Sequence, residues 1–184
     1  NKTGYDFAMG LRSILRQDPD VVMLGEIRDE ETARIAIQSS LTGHLVMSTV
    51  HTNSAAGAIT RLRDMGIESF LLASSLKTII SQRLIRRLCN KCKSESKVSQ
   101  VAIDLLGLKK GQTVFSAKGC NDCDGTGFKG RIAIAESIQV GTVLKDMIHD
   151  EASEQDIQNV AFKDIQTIDQ IGSELLTKGL TSPE

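Results

Sequence analysis

Aromatic side chains are scarce in this chain, which has no tryptophan, one tyrosine and five phenylalanines. Single-stranded nucleic acid is gripped largely by stacking bases on such rings, so the shortage argues against that class of partner. Charge gives no pull in that direction either. The 22 Lys and Arg are offset by 23 Asp and Glu, leaving a formal net charge of −1. No apolar run approaches the roughly 18 residues needed to cross a bilayer as a helix. No signal peptide is visible, and Asn1-Lys2-Thr3-Gly4 contains no initiator methionine. At the other end Thr181-Ser182-Pro183-Glu184 reads as a helix cap, a first-turn proline and an early acid, the opening of a helix that does not follow. Both ends are therefore expected to be cut from a longer protein. A further absence concerns chemistry: no Gly-x-x-x-x-Gly-Lys-Ser/Thr loop occurs, so the chain lacks the backbone cradle and lysine with which P-loop enzymes hold phosphates.

What is present suits a globular protein, with 40% hydrophobic and 24% charged residues. Phe7, Leu11, Ile14 and Leu15 fall at helical spacing within 6–17, which predicts an amphipathic helix. Asp18-Pro19-Asp20 ends it, because proline disfavours helix at the residue before it. Val21-Val22-Met23-Leu24 is a short continuous apolar run, the pattern of a buried parallel strand. Residues 30–41 return to helical periodicity through Ala33, Ile35, Ala36, Ile37 and Leu41. His44 to Val50 reads as a second buried strand, followed by helices near 54–65 and 69–88. Strand and helix alternating with short turns predict an α/β fold with a parallel sheet. The character changes at Cys89: to about residue 137 the chain is rich in Gly, Lys and Ser, with a short helix near 99–106 and short strands including 131–137. After Val140 the pattern is helical again to Gly179.

Two strand ends carry the candidate chemistry. Val21-Val22-Met23-Leu24-Gly25-Glu26 has the form of an apolar strand ending in an acid, as in motors where such acids support Mg²⁺ and activate water. It departs from the usual form in carrying Gly25 where an aspartate is common, which leaves Glu26 to supply the local chemistry. The second strand, His44-Leu45-Val46-Met47-Ser48-Thr49-Val50-His51-Thr52, places Thr49 and His51 on one face by alternation. His51 and Thr52 sit at its carboxyl end, where α/β sheets gather ligands. His44 lies roughly 20 Å away by strand rise and is expected to be structural, as is His149.

The four cysteines form two close pairs, Cys89-x-x-Cys92 and Cys120-x-x-Cys123, separated by 27 residues. In a chain without secretory features a metal is the better reading than disulfides. Two tight turns aim four thiolates at one tetrahedral Zn²⁺, and with every position filled by sulfur the ion would be structural. Two other readings attach to this segment. Cys120-Asn121-Asp122-Cys123-Asp124-Gly125-Thr126-Gly127 fits one copy of the repeated zinc unit of J-type chaperones. Lys91, Lys93, Lys97, Lys109, Lys110, Lys118 and Lys129 give it the basic tint of a nucleic-acid zinc ribbon, diluted by Asp122, Asp124 and Glu95.

Several motifs in order carry a family resemblance. Leu11-Arg12-Ser13-Ile14-Leu15-Arg16-Gln17-Asp18-Pro19-Asp20, Gly25-Glu26-Ile27-Arg28-Asp29, Thr42-Gly43-His44 through His51-Thr52-Asn53, Gln82-Arg83-Leu84 and Arg86-Arg87-Leu88-Cys89 resemble successive signatures of the type II secretion and type IV pilus assembly ATPases. The likeness covers roughly residues 5–137. It implies the second half of a RecA-like P-loop ATPase core over 1–88, a tetracysteine zinc subdomain over 89–137 and a C-terminal helical segment over 138–184. It implies catalytic roles for Glu26 and His51, with His51 nearest the γ-phosphate. Thr49 and Thr52 are candidate nucleotide contacts, and Arg12, Arg16, Arg28 and Arg61 candidates for nucleotide or the neighbouring subunit, a task suited to guanidinium. It further implies ATP and Mg²⁺ in the full-length protein, a homohexamer, and work at the cytoplasmic face of a bacterial inner membrane through platform proteins, with no nucleic acid. The chain alone is expected to be inactive. The four cysteines resemble the secretion and assembly branches rather than retraction motors, and type II secretion and pilus assembly stay unseparated.

Overall fold

The computed structural model describes residues 7–100, 103–104, 108–109 and 111–183. The chain divides into two compact units that do not follow chain order. The first runs to Ile79 and resumes over Ser137–Lys163; the second comprises Ile80–Glu136 and the residues from Asp164 onward.

In the first unit α1 (Phe7–Leu15), β1 (Val21–Met23), α2 (Glu30–Leu41) and β2 (Leu45–Met47) alternate as the sequence predicts, and β1 pairs with β2 in parallel. The helix α2 starts where its chemistry dictates: the Asp29 carboxylate accepts from Thr32 N at 2.8 Å, and Glu30 and Glu31 place negative charge in the first turn, where the helix dipole favours it. It stops at Thr42, followed by Gly43 at φ 110°. In α1 the packed stripe is Ala8, Leu11 and Leu15, whereas Phe7 and Ile14 are exposed. The periodicity was right and the phase was off, because both flanking residues are apolar.

Both strands were expected to be buried, and the structure corrects this on one face. Val22 and Leu24 join the core with Val46 packed against it. The opposite face carries Val21, Met23, Leu45 and Met47, all exposed, Met23 to 78%. The sheet has only two strands here, so one apolar layer is all the described residues supply.

Two helices follow, α3 (Gly57–Asp64) and α4 (Ser69–Ser75). The helix expected over 69–88 ends early, and β3 (Thr78–Leu88) takes its second half. Thr78-Ile79-Ile80 is a β-branched run that prefers extended backbone, and Leu76 already leaves α4 with ψ 131°. Leu84, Ile85 and Leu88 happen to match helical spacing, which hides the strand. The partner of β3 is β6 (Phe128–Gln139), longer than the short strands expected there. After it the chain returns to the first unit with α5 (Thr142–His149) and α6 (Glu154–Ala161). The helix α5 packs on α4, and α6 on α3.

The second unit contains β4 (Ser94–Lys97) paired antiparallel with β5 (Thr113–Ser116), and α7 (Ile168–Thr177) beside β5. The buried Glu136 carboxylate accepts from Ile168 N at 2.8 Å, tying the start of α7 to β6. Leu88 N donates to Leu180 O at 2.9 Å and the Thr181 hydroxyl to Arg86 O at 2.8 Å, so the residues after α7 line the end of β3. Of the helix expected near 99–106, residues 100, 103 and 104 are helical, and 101, 102, 105 and 106 lie outside the described residues.

Each unit has its own apolar cluster among the described residues. Ile59, Leu72, Ile148 and Ile157, each at 0% exposure, anchor a broad cluster in the first unit. The second has a cluster of Leu108, Val114 and Leu176, with Val98 against it. Leu72→Ala is therefore expected to destabilise the first unit by about 2–5 kcal/mol through lost burial and the cavity left behind. A denaturation midpoint unchanged from the parent would show that Leu72 does not hold that core.

Candidate active site and metal centre

The parallel ladder continues past the ends of β1 and β2. Leu24 N donates to Met47 O at 2.8 Å and Ile27 N to Thr49 O at 2.9 Å. The Thr49 hydroxyl donates back to Gly25 O at 2.7 Å. Thr49 thus holds the chain on both sides of Glu26, whose backbone is fixed while its side chain turns outward. Both carboxylate oxygens are occupied: Oε1 meets Arg28 Nη2 at 2.5 Å, and Oε2 meets His51 Nε2 at 2.9 Å. The Glu26 side chain is 31% exposed, and those of Arg28 and His51 are 72% and 83% exposed. The Arg28 guanidinium holds the Glu26 carboxyl below its usual range; partial desolvation opposes this, and His51 adds to it.

Glu26, Arg28, Thr49 and His51 therefore come together from two strand ends. The Thr52 hydroxyl donates to Ser54 O at 3.0 Å, inside the turn that follows. Arg12 is engaged elsewhere, on Glu31 of α2 at 2.6 Å. Arg16 and Arg61 are exposed and form no ion pair among the described residues. His44 sits at the start of β2 with Nδ1 3.0 Å from Ser39 O, and His149 lies 3.1 Å from Asp150. Sequence reading passed over Ser54, whose hydroxyl accepts from Gly57 N at 2.9 Å and donates to Glu154 Oε1 at 2.6 Å. A Ser three residues ahead of a helix start was the available signal; its acidic partner, 100 positions away, left none.

The four cysteines converge in the second unit. Their sulfurs lie within 4.8 Å of one another, with Cys89–Cys120 at 3.9 Å, Cys92–Cys123 at 3.8 Å and Cys120–Cys123 at 3.7 Å. Four sulfurs bound tetrahedrally at about 2.3 Å from zinc would stand about 3.8 Å apart; disulfide sulfurs stand about 2.05 Å apart. All four thiols are free. Burial raises the Cys123 thiol, yet the N–H groups of Cys120 and Gly127 aimed at its sulfur outweigh that and bring it down to about 7. Burial, with hydrogen bonds from Cys123 and Cys120, pushes Cys92 up to about 12. Asp122 joins the two cysteine turns, meeting Lys91 at 2.9 Å and Lys129 at 2.8 Å. Those two contacts, Lys129 first, bring its carboxyl down to about 2.

Fold and site together define the class as an α/β protein with a parallel strand pair, an acid and a histidine at the adjoining strand ends, and a four-cysteine cluster in its second unit. Among solved structures the pilus retraction motor PilT with bound ADP matches with a TM-score of 0.66 at 28% identity, over 97% of this chain and 41% of that one. Along its whole length, residues 1–184, the sequence matches the family model described as type II/IV secretion system protein, and the chain belongs to that family. It is 50% identical to the type II secretion system ATPase E of Vibrio cholerae over 180 residues, which is 97% of this chain and 36% of that protein. It is 44% identical to the type IV pilus assembly ATPase PilB of Thermus thermophilus, over 100% of this chain and 21% of that protein. The chain thus spans about a third or less of the curated relatives it matches.

The Glu26 contacts predict a titration. A carboxyl held down by Arg28 keeps its charged contacts from neutral pH to below the ordinary glutamate range of about 4.3, and loses them as pH falls through its own lowered midpoint. Arg28→Ala is expected to raise that midpoint, read by carbon NMR of the Glu26 carboxyl. An unmoved midpoint would remove Arg28 as the cause.

Proposed function

We propose that this chain is the carboxyl-terminal catalytic part of an ATP-hydrolysing motor that powers type II secretion or type IV pilus assembly. The observation that carries the reading is the acid held by Thr49 at the end of β1, with His51 at hydrogen-bonding distance. In this reading Glu26 activates the attacking water and supports Mg²⁺ through water, while His51 faces the γ-phosphate of ATP. Arg28 pairs with the Glu26 carboxylate. Thr49 and Thr52, with Arg12, Arg16, Arg28 and Arg61, serve the nucleotide or the neighbouring subunit of a homohexamer. The motor works at the cytoplasmic face of a bacterial inner membrane on platform proteins. Its phosphate cradle lies outside this chain, which by itself turns over no ATP.

Glu26→Gln in the full-length protein preserves size and hydrogen bonding but removes the charge. ATP turnover is expected to fall by about 10² or more while nucleotide still binds. His51→Ala is expected to slow turnover, and His44→Ala to act through stability. Near-normal turnover in Glu26→Gln would take this acid out of the site.

The cysteine cluster is proposed to hold one structural zinc through Cys89, Cys92, Cys120 and Cys123. The spacing of the four sulfurs supports this, and metal binding of this kind is coupled to folding. Elemental analysis of protein purified without chelator is expected to find one zinc per chain, and chelation to loosen the second unit before the first. Less than about half a metal per chain would count against the site.

A further inference from the structure

The His51 side chain is 83% exposed, so packing does not position it. Its place depends on the path of the backbone that carries it. Upstream that path is fixed by Thr49 in the ladder with Gly25 and Ile27. Downstream it ends on Ser54, whose hydroxyl stands between two partners: it accepts from Gly57 N and donates to Glu154 of α6. Gly57 makes the arrangement possible, since a Cβ there would lie 2.8 Å from Ser54 Oγ and 3.1 Å from Glu154 Oε1. The same turn before α6 is tied to α3 and α4, through Arg63 to Ala152 O at 3.2 Å and Ser69 to Glu151 at 3.2 Å.

We propose that Glu154 is a positioning residue for the catalytic loop: with Ser54 and Gly57 it locks the downstream end of residues 51–54 and so sets where His51 stands against Glu26. The helical return of the chain over residues 142–161 is then part of the catalytic apparatus. This rests on the catalytic reading of Glu26 and His51, and it assigns a role to a segment with no chemical motif. The lock acts on geometry alone. A histidine displaced by about 1 Å loses much of its effect on a positioned reaction, without any change in nucleotide grip.

Two measurements test it. In this chain, amide hydrogen exchange at Gly57 is expected to speed up by about tenfold or more in Glu154→Ala, because the accepting hydroxyl loses its anchor. In the full-length protein, Glu154→Ala is expected to lower kcat by about tenfold with the KM for ATP and the melting temperature little changed. Glu154→Gln, whose amide oxygen still accepts from Ser54, is expected to restore most of that loss. Ser54→Ala combined with Glu154→Ala is expected to cost no more than either alone, as for residues acting as one unit. Gly57→Ala, which pushes the pair apart, is expected to reproduce the defect. Glu174→Ala, an exposed acid of α7 paired with Lys178, serves as the control that leaves kcat unchanged.

The proposal is overturned if Glu154→Ala keeps kcat within about twofold of the parent while Glu26→Gln and His51→Ala lose turnover, or if exchange at Gly57 does not change. If Glu26→Gln and His51→Ala themselves leave turnover near normal, the catalytic reading falls instead. The exchange result then still decides whether Glu154 anchors the loop.

Discussion

The parallel register of β1 and β2 is the constraint on which the candidate site depends. Val21 pairs with Leu45 and Met23 with Met47, so both strands deliver their carboxyl ends to the same edge. Glu26 and His51 meet there because each lies a few residues beyond a paired position. A slip of one residue would exchange the two faces of β2 and bury what is now outward. A slip of two would carry His51 about 7 Å along the strand, beyond reach of a carboxylate. Thr49 secures the register where the strands end, using its hydroxyl and its carbonyl on the two sides of Glu26. Side-chain chemistry at one position thus protects the alignment on which the acid–histidine contact rests.

The second unit answers to a different constraint. Ordering a residue's backbone costs about 1–2 kcal/mol, and small units commonly offset that cost with cross-links or metal as well as apolar burial. Among the described residues its apolar cluster comprises Leu108, Val114 and Leu176, and two of the four clustered cysteines, Cys89 and Cys123, are themselves buried. Asp122 draws Lys91 from the opposite cysteine turn, so a charge contact spans the two turns that bring the sulfurs together. Positive φ at Gly119, Gly125 and Asp124 shapes the second turn. A Cβ at Gly119 would stand 2.3 Å from Gly125 O, so only glycine fits there.

Local chemistry was legible in the sequence; long-range consequence was not. The helix over 30–41 could be read from its apolar spacing, and the structure returns Glu30–Leu41 with Asp29 as its cap. The cysteine turns were legible because two identical spacings leave few arrangements for four sulfurs. The strand Thr78–Leu88 was misread because Leu84, Ile85 and Leu88 satisfy helical spacing by coincidence, while the β-branched start at Thr78-Ile79-Ile80 was outweighed. The exposed face of β1 and β2 was invisible for another reason. An apolar run announces that burial is wanted, but not whether the same chain supplies the cover.

The contact least accessible to sequence reasoning is the one between Ser54 and Glu154. Neither residue is unusual, and no periodicity connects them; a serine before a helix and a glutamate in the first turn of another are both explained locally, by capping and by the helix dipole. Those local explanations are correct and incomplete. The same oxygen of Ser54 that satisfies Gly57 N also has a proton to give, and α6 packs against α3. The acid that favours the start of α6 is thereby the acid that reaches Ser54. One hydroxyl, used as acceptor within its own turn and as donor across the unit, is enough to make a locally ordinary helix start part of the loop that carries His51.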